Sequence, residues 1–202
     1  MTESYAEKKQ DYRHGRREKF LDLAAEILAI QGIRQTTMDQ IADHVGVKKM
    51  VLYRYFGAKD KLVHALLERI CEAILDADAK SNDWWTERVR NTMGVAKTHR
   101  NSLILLIRHC AHDPEFGTHL DALQNELSER TEVRLREIFE DKSPRLSGSK
   151  FLSQSINSFF FNSYLRWLEN DMEDNDDEFF EWITKSVRAM SYYWYDGLPP
   201  GQ

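Results

Sequence analysis

The sequence predicts an all-α protein. Apolar residues recur at helical spacing along almost the whole chain, no segment alternates apolar and polar residues as a half-buried strand does, and nine glycines and four prolines are all that punctuate 202 residues. The composition, 42% hydrophobic and 11% aromatic, suffices for a sizeable core in one large domain or two small ones. No apolar run approaches the ~20 residues that span a bilayer, and the charged start MTESYAEKKQDYRHGRREKF lacks the apolar stretch of a signal peptide. The expectation is a cytoplasmic protein with no membrane partner. Cys71 and Cys110, far apart in helical surroundings, read as reduced, largely buried thiols.

Taken in order, the first helix starts near Arg13, turns Phe20, Leu23, Ala24, Ile27, Leu28 and Ile30 inward, and ends at Gly32 in the left-handed conformation. TTMDQIADHV opens with a capping box between Thr37 and Gln40, and Asp39 adds negative charge at the positive end of a short second helix ending near His44. VGV sets off a third helix, Lys48 to about Tyr55. A longer fourth, from about Ala58, carries Leu62, Leu66, Ile70, Ala73 and Ile74 on one face. SND precedes a fifth with Trp85, Val89, Met93 and Ala96 in register, and SLILLI, apolar all round, places the sixth inside a core. Asp113-Pro114 reads as a cap and first-turn proline for a long helix with Phe116, Leu120, Leu123, Leu127, Leu135 and Ile138 inward. After the loop DKSPRLSGS, two aromatic-rich helices, 150–171 and 177–194, flank the acidic run ENDMEDNDDE, which lacks the glycine and glutamate spacing of a calcium loop.

Helices two and three, joined by a tight turn at Gly46, form a helix-turn-helix. Ile41, Ala42, Val45, Val47 and Leu52 are its packing residues, which leaves Lys48, Lys49, Met50, Tyr53 and Arg54 to face outward. Cations neutralise phosphates and tyrosine hydroxyls bond to them, so GVKKMVLYRYFGAKDKL suits the major groove of double-stranded DNA. The charge distribution agrees. Residues 13–61 hold ten Lys/Arg against six Asp/Glu, a net +4, whereas residues 62–202 hold sixteen against twenty-four, a net −8.

The segment FLDLAAEILAIQGIRQTTMDQIADHVGVKKMVLYRYFGAKDKL resembles the N-terminal domain of TetR-family transcriptional regulators: an alanine-rich helix, a glycine, a threonine pair, IA, GV, then LYxYF and a lysine three residues later. The resemblance implies a helix-turn-helix domain over 1–57, with the start of helix four at 58–62, and a helical effector-binding and dimerisation domain over 58–202. It places Tyr53 and Tyr55 on phosphates, Lys59 at the backbone from the start of helix four, Thr36 and Thr37 at a phosphate, and Lys48, Lys49 and Met50 at the base-reading positions; Arg54 joins this surface. Met50-Val51 replaces the small residue and threonine common before LY, so no relative's operator is borrowed. Gly57-Ala58 stands where a serine commonly caps helix four.

One short recognition helix specifies little, and two held ~34 Å apart read a palindrome, so a homodimer is expected. The resemblance puts the last two helices in the dimer seam, with Phe159, Phe160 and Trp167 from one and Phe180, Ile183, Val187 and Trp194 from the other. An effector is implied among the middle helices. Helical phase nominates Leu66 and Ile70 from helix four, Trp84, Trp85, Val89 and Met93 from helix five, Leu106, Phe116 and Leu120 around the sixth and seventh, and Asn162 from the eighth. Arg108 and His109, in RHCAHD, are polar groups for its mouth; Arg108 either meets an anionic effector or pairs with Asp113 or Glu115. His109 and His112, three apart with Cys110 beside them, could seed a zinc or copper site, a reading ranked below solvent-facing histidines or pocket-mouth groups, and no cofactor is expected.

The sequence contains no nucleophile elbow, glycine-rich phosphate loop or paired metal motif, so no catalytic residue is nominated. The reading is an effector-responsive regulator, a repressor released by a small, largely apolar ligand. The alternatives are a ligand-independent DNA-binding protein that recruits a partner through its acidic body, and a helical enzyme.

Overall fold

The computed structural model describes residues 5–81, 85–139, 149–170 and 175–195, and the side chains of these from residue 8 to residue 193. Among the described residues it is all-α, with nine α-helices and one π-helical segment. They are α1 (Tyr5–Gln31), α2 (Met38–Val45), α3 (Lys49–Phe56), α4 (Lys59–Ala79), α5 (Thr86–Thr98), α6 (Arg100–Ile104) with its π continuation (Leu105–His109), α7 (Gly117–Ile138), α8 (Ser149–Glu169) and α9 (Asp176–Tyr195). The loop DKSPRLSGS up to Gly148 and the acidic run at 171–174 lie outside the described residues.

The first helix starts eight residues earlier than its apolar pattern signals. Tyr5–Tyr12 is rich in good helix formers but has no face to bury, so periodicity cannot detect it. Of its expected inward residues Phe20, Ala24, Ile27 and Leu28 are buried and Leu23 is half-buried, with Leu21 and Ala25 joining them, while Ile30 is 80% exposed. Gly32 ends the helix at φ 85°, the left-handed conformation that favours glycine, and a Cβ there would also lie 3.2 Å from His109 Nδ1.

Residues 102–106 are buried as an all-apolar helix should be. The widened π turn that follows carries His109 to α1, where Nε2 donates to the Ala29 carbonyl at 2.9 Å. Asp113 accepts from the amides of Glu115 and Phe116 at 3.0 and 3.1 Å, so it caps a turn rather than α7 itself, which begins at Gly117. Arg34, just past α1, grips the same carboxylate through Nε at 2.8 Å and Nη2 at 2.7 Å, reaches Glu115 at 3.2 Å and lies over the Phe116 ring. Its guanidinium holds Asp113 well below the usual carboxylate range, at about 2.

Between α4 and α7, His64 Nδ1 and His119 Nε2 lie 2.8 Å apart, with Glu115 Oε1 at 3.7 Å from His64 Nε2. Burial, and then the nearness of His64, lowers His119 from its ordinary 6.5. The unfolded chain therefore binds this proton more readily than the folded one. Stability should be full above about pH 6.5 and should fall as the pH drops below it, and His119→Gln should make urea-derived stability less steep between pH ~7.5 and ~5.5. At the α2 cap, Thr37→Ala should lower stability by about 1 kcal/mol in urea denaturation, with Thr37→Ser restoring most of it.

Candidate nucleic-acid interface and interior cavity

The α2 to α3 unit rests on α1 through Ile41, Ala42, Leu52 and Phe56, all buried. Its capping box is formed: the Gln40 amide donates to Thr37 Oγ1 at 3.3 Å, and the Thr37 amide donates to Gln40 Oε1 at 2.8 Å. Gly46, at φ 75° and ψ 35°, makes the left-handed turn, and its amide reaches back to the end of α2. On this bed Lys48, Met50, Tyr53 and Arg54 face outward, with Met50 76% exposed. Lys49 Nζ is paired with Asp39 Oδ2 at 2.7 Å and lies over the Tyr53 ring, and that hydrogen bond raises its pKa from the ordinary lysine value.

Three of the residues assigned by resemblance sit differently from their neighbours. Thr36 is 1% exposed and donates its hydroxyl to the Gly32 carbonyl at 2.7 Å, so it has no path to a phosphate; Thr37 beside it is exposed. Tyr55 is half-buried, its ring edge-on to Phe20 with a centroid distance of 5.1 Å. Lys59 donates to the carbonyls of Ile33 and Thr36 at 3.0 and 3.1 Å, tying the start of α4 to the α1–α2 link. Neither Ala58 nor any other side chain caps α4. Sequence reasoning missed Arg13, Arg16 and Arg17, whose guanidiniums lie over the rings of Tyr55, Phe20 and Phe56 and extend the cationic surface beside α3. The run RHGRR was the available signal.

In the body, a cavity of about 50 Å³ lies between α4, α5, α6, α7 and α8. Ile74 and Asp78 line it from α4, Arg88 and Thr92 from α5 with Trp85 just before it, Leu103 from α6, Leu127 and Thr131 from α7, and Asn157, Phe160, Phe161 and Tyr164 from α8. Of the side chains nominated for the pocket, Trp85 reaches it. Leu66, Ile70, Val89, Leu106 and Phe116 are fully buried in the core instead, Met93 and Leu120 are nearly so, and Trp84 lies outside the described residues. Asn162 points out of α8 into an open groove with Phe159, Arg166 and Trp182; the buried amide is Asn157, five residues earlier, which donates to the Ser153 carbonyl at 2.8 Å. Arg108 pairs with Glu169 at 2.6 Å, while Asp113 and Glu115 are taken by Arg34. His109 is engaged by Ala29, His112 is exposed, and among the described residues no group of three or more His, Cys, Asp or Glu is placed to hold a metal ion.

The terminal helices divide the aromatics. Trp167 is buried and stacks on Phe179 at 4.9 Å, and Ile183 and Val187 are fully buried in the chain's own core, so these three cannot line a seam between subunits. Phe160 is half-buried at the cavity, Phe159 and Phe180 are half-buried, and the side chain of Trp194 lies outside the described residues. The outward apolar groups are Phe151 at 67%, Trp182 at 50% and Tyr193 at 74% exposure. On α9 the inward set 179, 183 and 187 and the outward set 182, 189 and 193 are separate stripes of one helix, and a list of aromatics ignores that phase.

Residues 20–66 match the model of "Bacterial regulatory proteins, tetR family". The HTH-type transcriptional repressor KstR2 of Rhodococcus jostii (strain RHA1) is 40% identical over 55 residues, 27% of each chain, so the chain spans about a quarter of that relative's length. The nucleoid occlusion factor SlmA of Vibrio campbellii (strain ATCC BAA-1116) is 28% identical over 192 residues, covering 86% of this chain and 96% of the relative. A crystal structure of a TetR-like transcriptional regulator from Rhodococcus sp. RHA1 superposes with a TM-score of 0.70 at 19% identity, over 88% of this chain and 93% of the other. The chain thus carries the tetR family's helix-turn-helix segment at residues 20–66, and its body shares the helical fold of a TetR-like regulator.

Proposed function

We propose that the protein is a cytoplasmic, homodimeric repressor that leaves a palindromic operator when a small, largely apolar ligand enters the body. The observation that carries this reading is α3: cations, tyrosine and an exposed methionine are displayed on a helix whose opposite face is locked to α1 and α2. Residues 1–57 act as the reading head and 58–202 as sensor and dimer body. Thr37, Lys48, Lys49, Met50, Tyr53, Arg54 and Tyr55 form the DNA surface, with Lys59 setting its angle, and Arg13, Arg16 and Arg17 add phosphate contacts. The exposed Phe151, Trp182 and Tyr193 support α8 and α9 as the seam, because apolar rings at such exposure gain most from a second copy.

Ligand control follows from α4. It joins the head through Lys59 and the cavity through Ile74 and Asp78, so a ligand that prefers one α4 position shifts the spacing of the two heads. No catalytic or metal role is part of this reading. A second reading has one observation in its favour: the likeness to nucleoid occlusion factors runs through the body as well as the head, which suits a DNA-bound protein whose body engages a protein partner without a small ligand.

Selection of DNA from a random pool, with sequencing of the bound fraction, should return a palindrome; binding without a motif would contradict a dimeric reader. On that site Tyr53→Phe should weaken binding about equally across sequence variants, whereas Lys49→Ala should change base preference. Trp182→Glu should yield monomers by analytical ultracentrifugation and lower operator affinity roughly 100-fold, since the second half-site is then no longer tethered. Thermal stabilisation and operator release by a small-molecule panel separate the two readings; a protein that no small ligand moves is the partner-recruiting one.

A further inference from the structure

The aspartate on the cavity wall is shared among three arginines. Asp78, 3% exposed, accepts from Arg134 through Nη1 to Oδ1 at 3.1 Å and Nη2 to Oδ2 at 2.8 Å, and from Arg130 Nη1 at 3.3 Å. Arg130 has a second carboxylate, Glu126, at 2.8 Å. Arg88 comes last to the same group: its Nε lies 3.1 Å from Asp78 Oδ1 without the alignment of a hydrogen bond, and neither Nε nor Nη1 has a hydrogen-bond partner. Its side chain is 9% exposed and lines the cavity. Asp78 and Glu126 thus supply two negative charges against three guanidiniums, and the uncompensated donors belong to the buried one.

We propose that Arg88 anchors the carboxylate of a small amphipathic monocarboxylic acid, whose apolar part lies against Leu103, Leu127, Phe160 and Phe161. The assignment rests on the effector-pocket reading and refines its ligand from a largely apolar molecule to an organic anion. With Nε facing Asp78, the buried and unbonded Nη1 offers a carboxylate oxygen one charge-assisted hydrogen bond, and one anion balances the one unmatched cation. Burial pushes Arg88 down to about 10, still protonated at neutral pH, so the anchor keeps its charge. On the same wall Thr92 Oγ1 donates to the Arg88 carbonyl at 2.8 Å and lies 2.7 Å from Tyr164 Oη; burial raises Tyr164 so that its hydroxyl retains the proton, and turning it from Thr92 would let it donate to an acid oxygen. At about 50 Å³ the cavity admits a head group and a few carbons; a longer acid must move half-buried Phe160 aside, and that displacement loads α8 and, through Arg88 and Asp78, α4.

The test is isothermal titration of the full chain with acetate, butyrate, benzoate and phenylacetate, each against its neutral amide, on wild type, Arg88→Met and Arg88→Lys. At least one acid should bind about tenfold or more tighter than its amide, Arg88→Met should abolish the preference, and Arg88→Lys should keep part of it. Equal binding of acid and amide, an acid preference that survives Arg88→Met in a folded variant, or no acid bound up to about 10 mM overturns the proposal; the acid–amide comparison on wild type decides it if Arg88→Met does not fold. Operator binding is followed in parallel. Acid-selective binding that leaves operator affinity unchanged keeps the anion site and overturns the effector reading, whereas release by the amides as readily as by the acids does the reverse.

Discussion

Asp78 is the constraint around which the body is arranged. A carboxylate buried to this degree needs cationic partners, and Arg88 from α5 and Arg130 and Arg134 from α7 meet it at the end of α4. Three helices are pinned at one point, and the cavity is the space left beside that pin.

The opposite end of α4 is fastened by different means. Lys59 holds the carbonyls of the α1–α2 link, and Arg34 bridges that link to the corner before α7 through Asp113, Glu115 and the face of Phe116. The helix is thereby a strut with one end in the reading head and the other at the charge cluster. A strut transmits displacement because its own hydrogen-bonded backbone is stiff and both attachments are directional, which distinguishes this arrangement from a head merely resting on a body through apolar contact. The π turn at Leu105–His109 adds a third tie, since it aims His109 at the last turn of α1.

At the surface the division of labour among aromatics follows the same economy of contacts. Trp167 and Phe179 stack inside the chain, whereas Phe151, Trp182 and Tyr193 lie outside, and the half-buried Phe159 and Phe160 connect the inner set to the outer one.

The head was legible in the sequence because its signals are local: the Thr37–Gln40 box, the left-handed glycines 32 and 46, and the spacing of apolar residues are each written within a few positions. The helix count and order followed from the same local periodicity. What the sequence could not rank was which of several buried faces meets which neighbour. Asn157 and Asn162 look alike as isolated amides on one helix, yet the small rotation between them puts one in the interior and the other in the outer groove. Nothing local in the sequence singles out Arg88, Arg130 and Arg134; packing brings them to one aspartate, 10, 52 and 56 residues away in the chain. Local structure is decided by neighbours in sequence, whereas a charge cluster and the cavity beside it exist only once distant helices are docked, and only the tertiary structure decides which arginine keeps buried donors without a hydrogen bond.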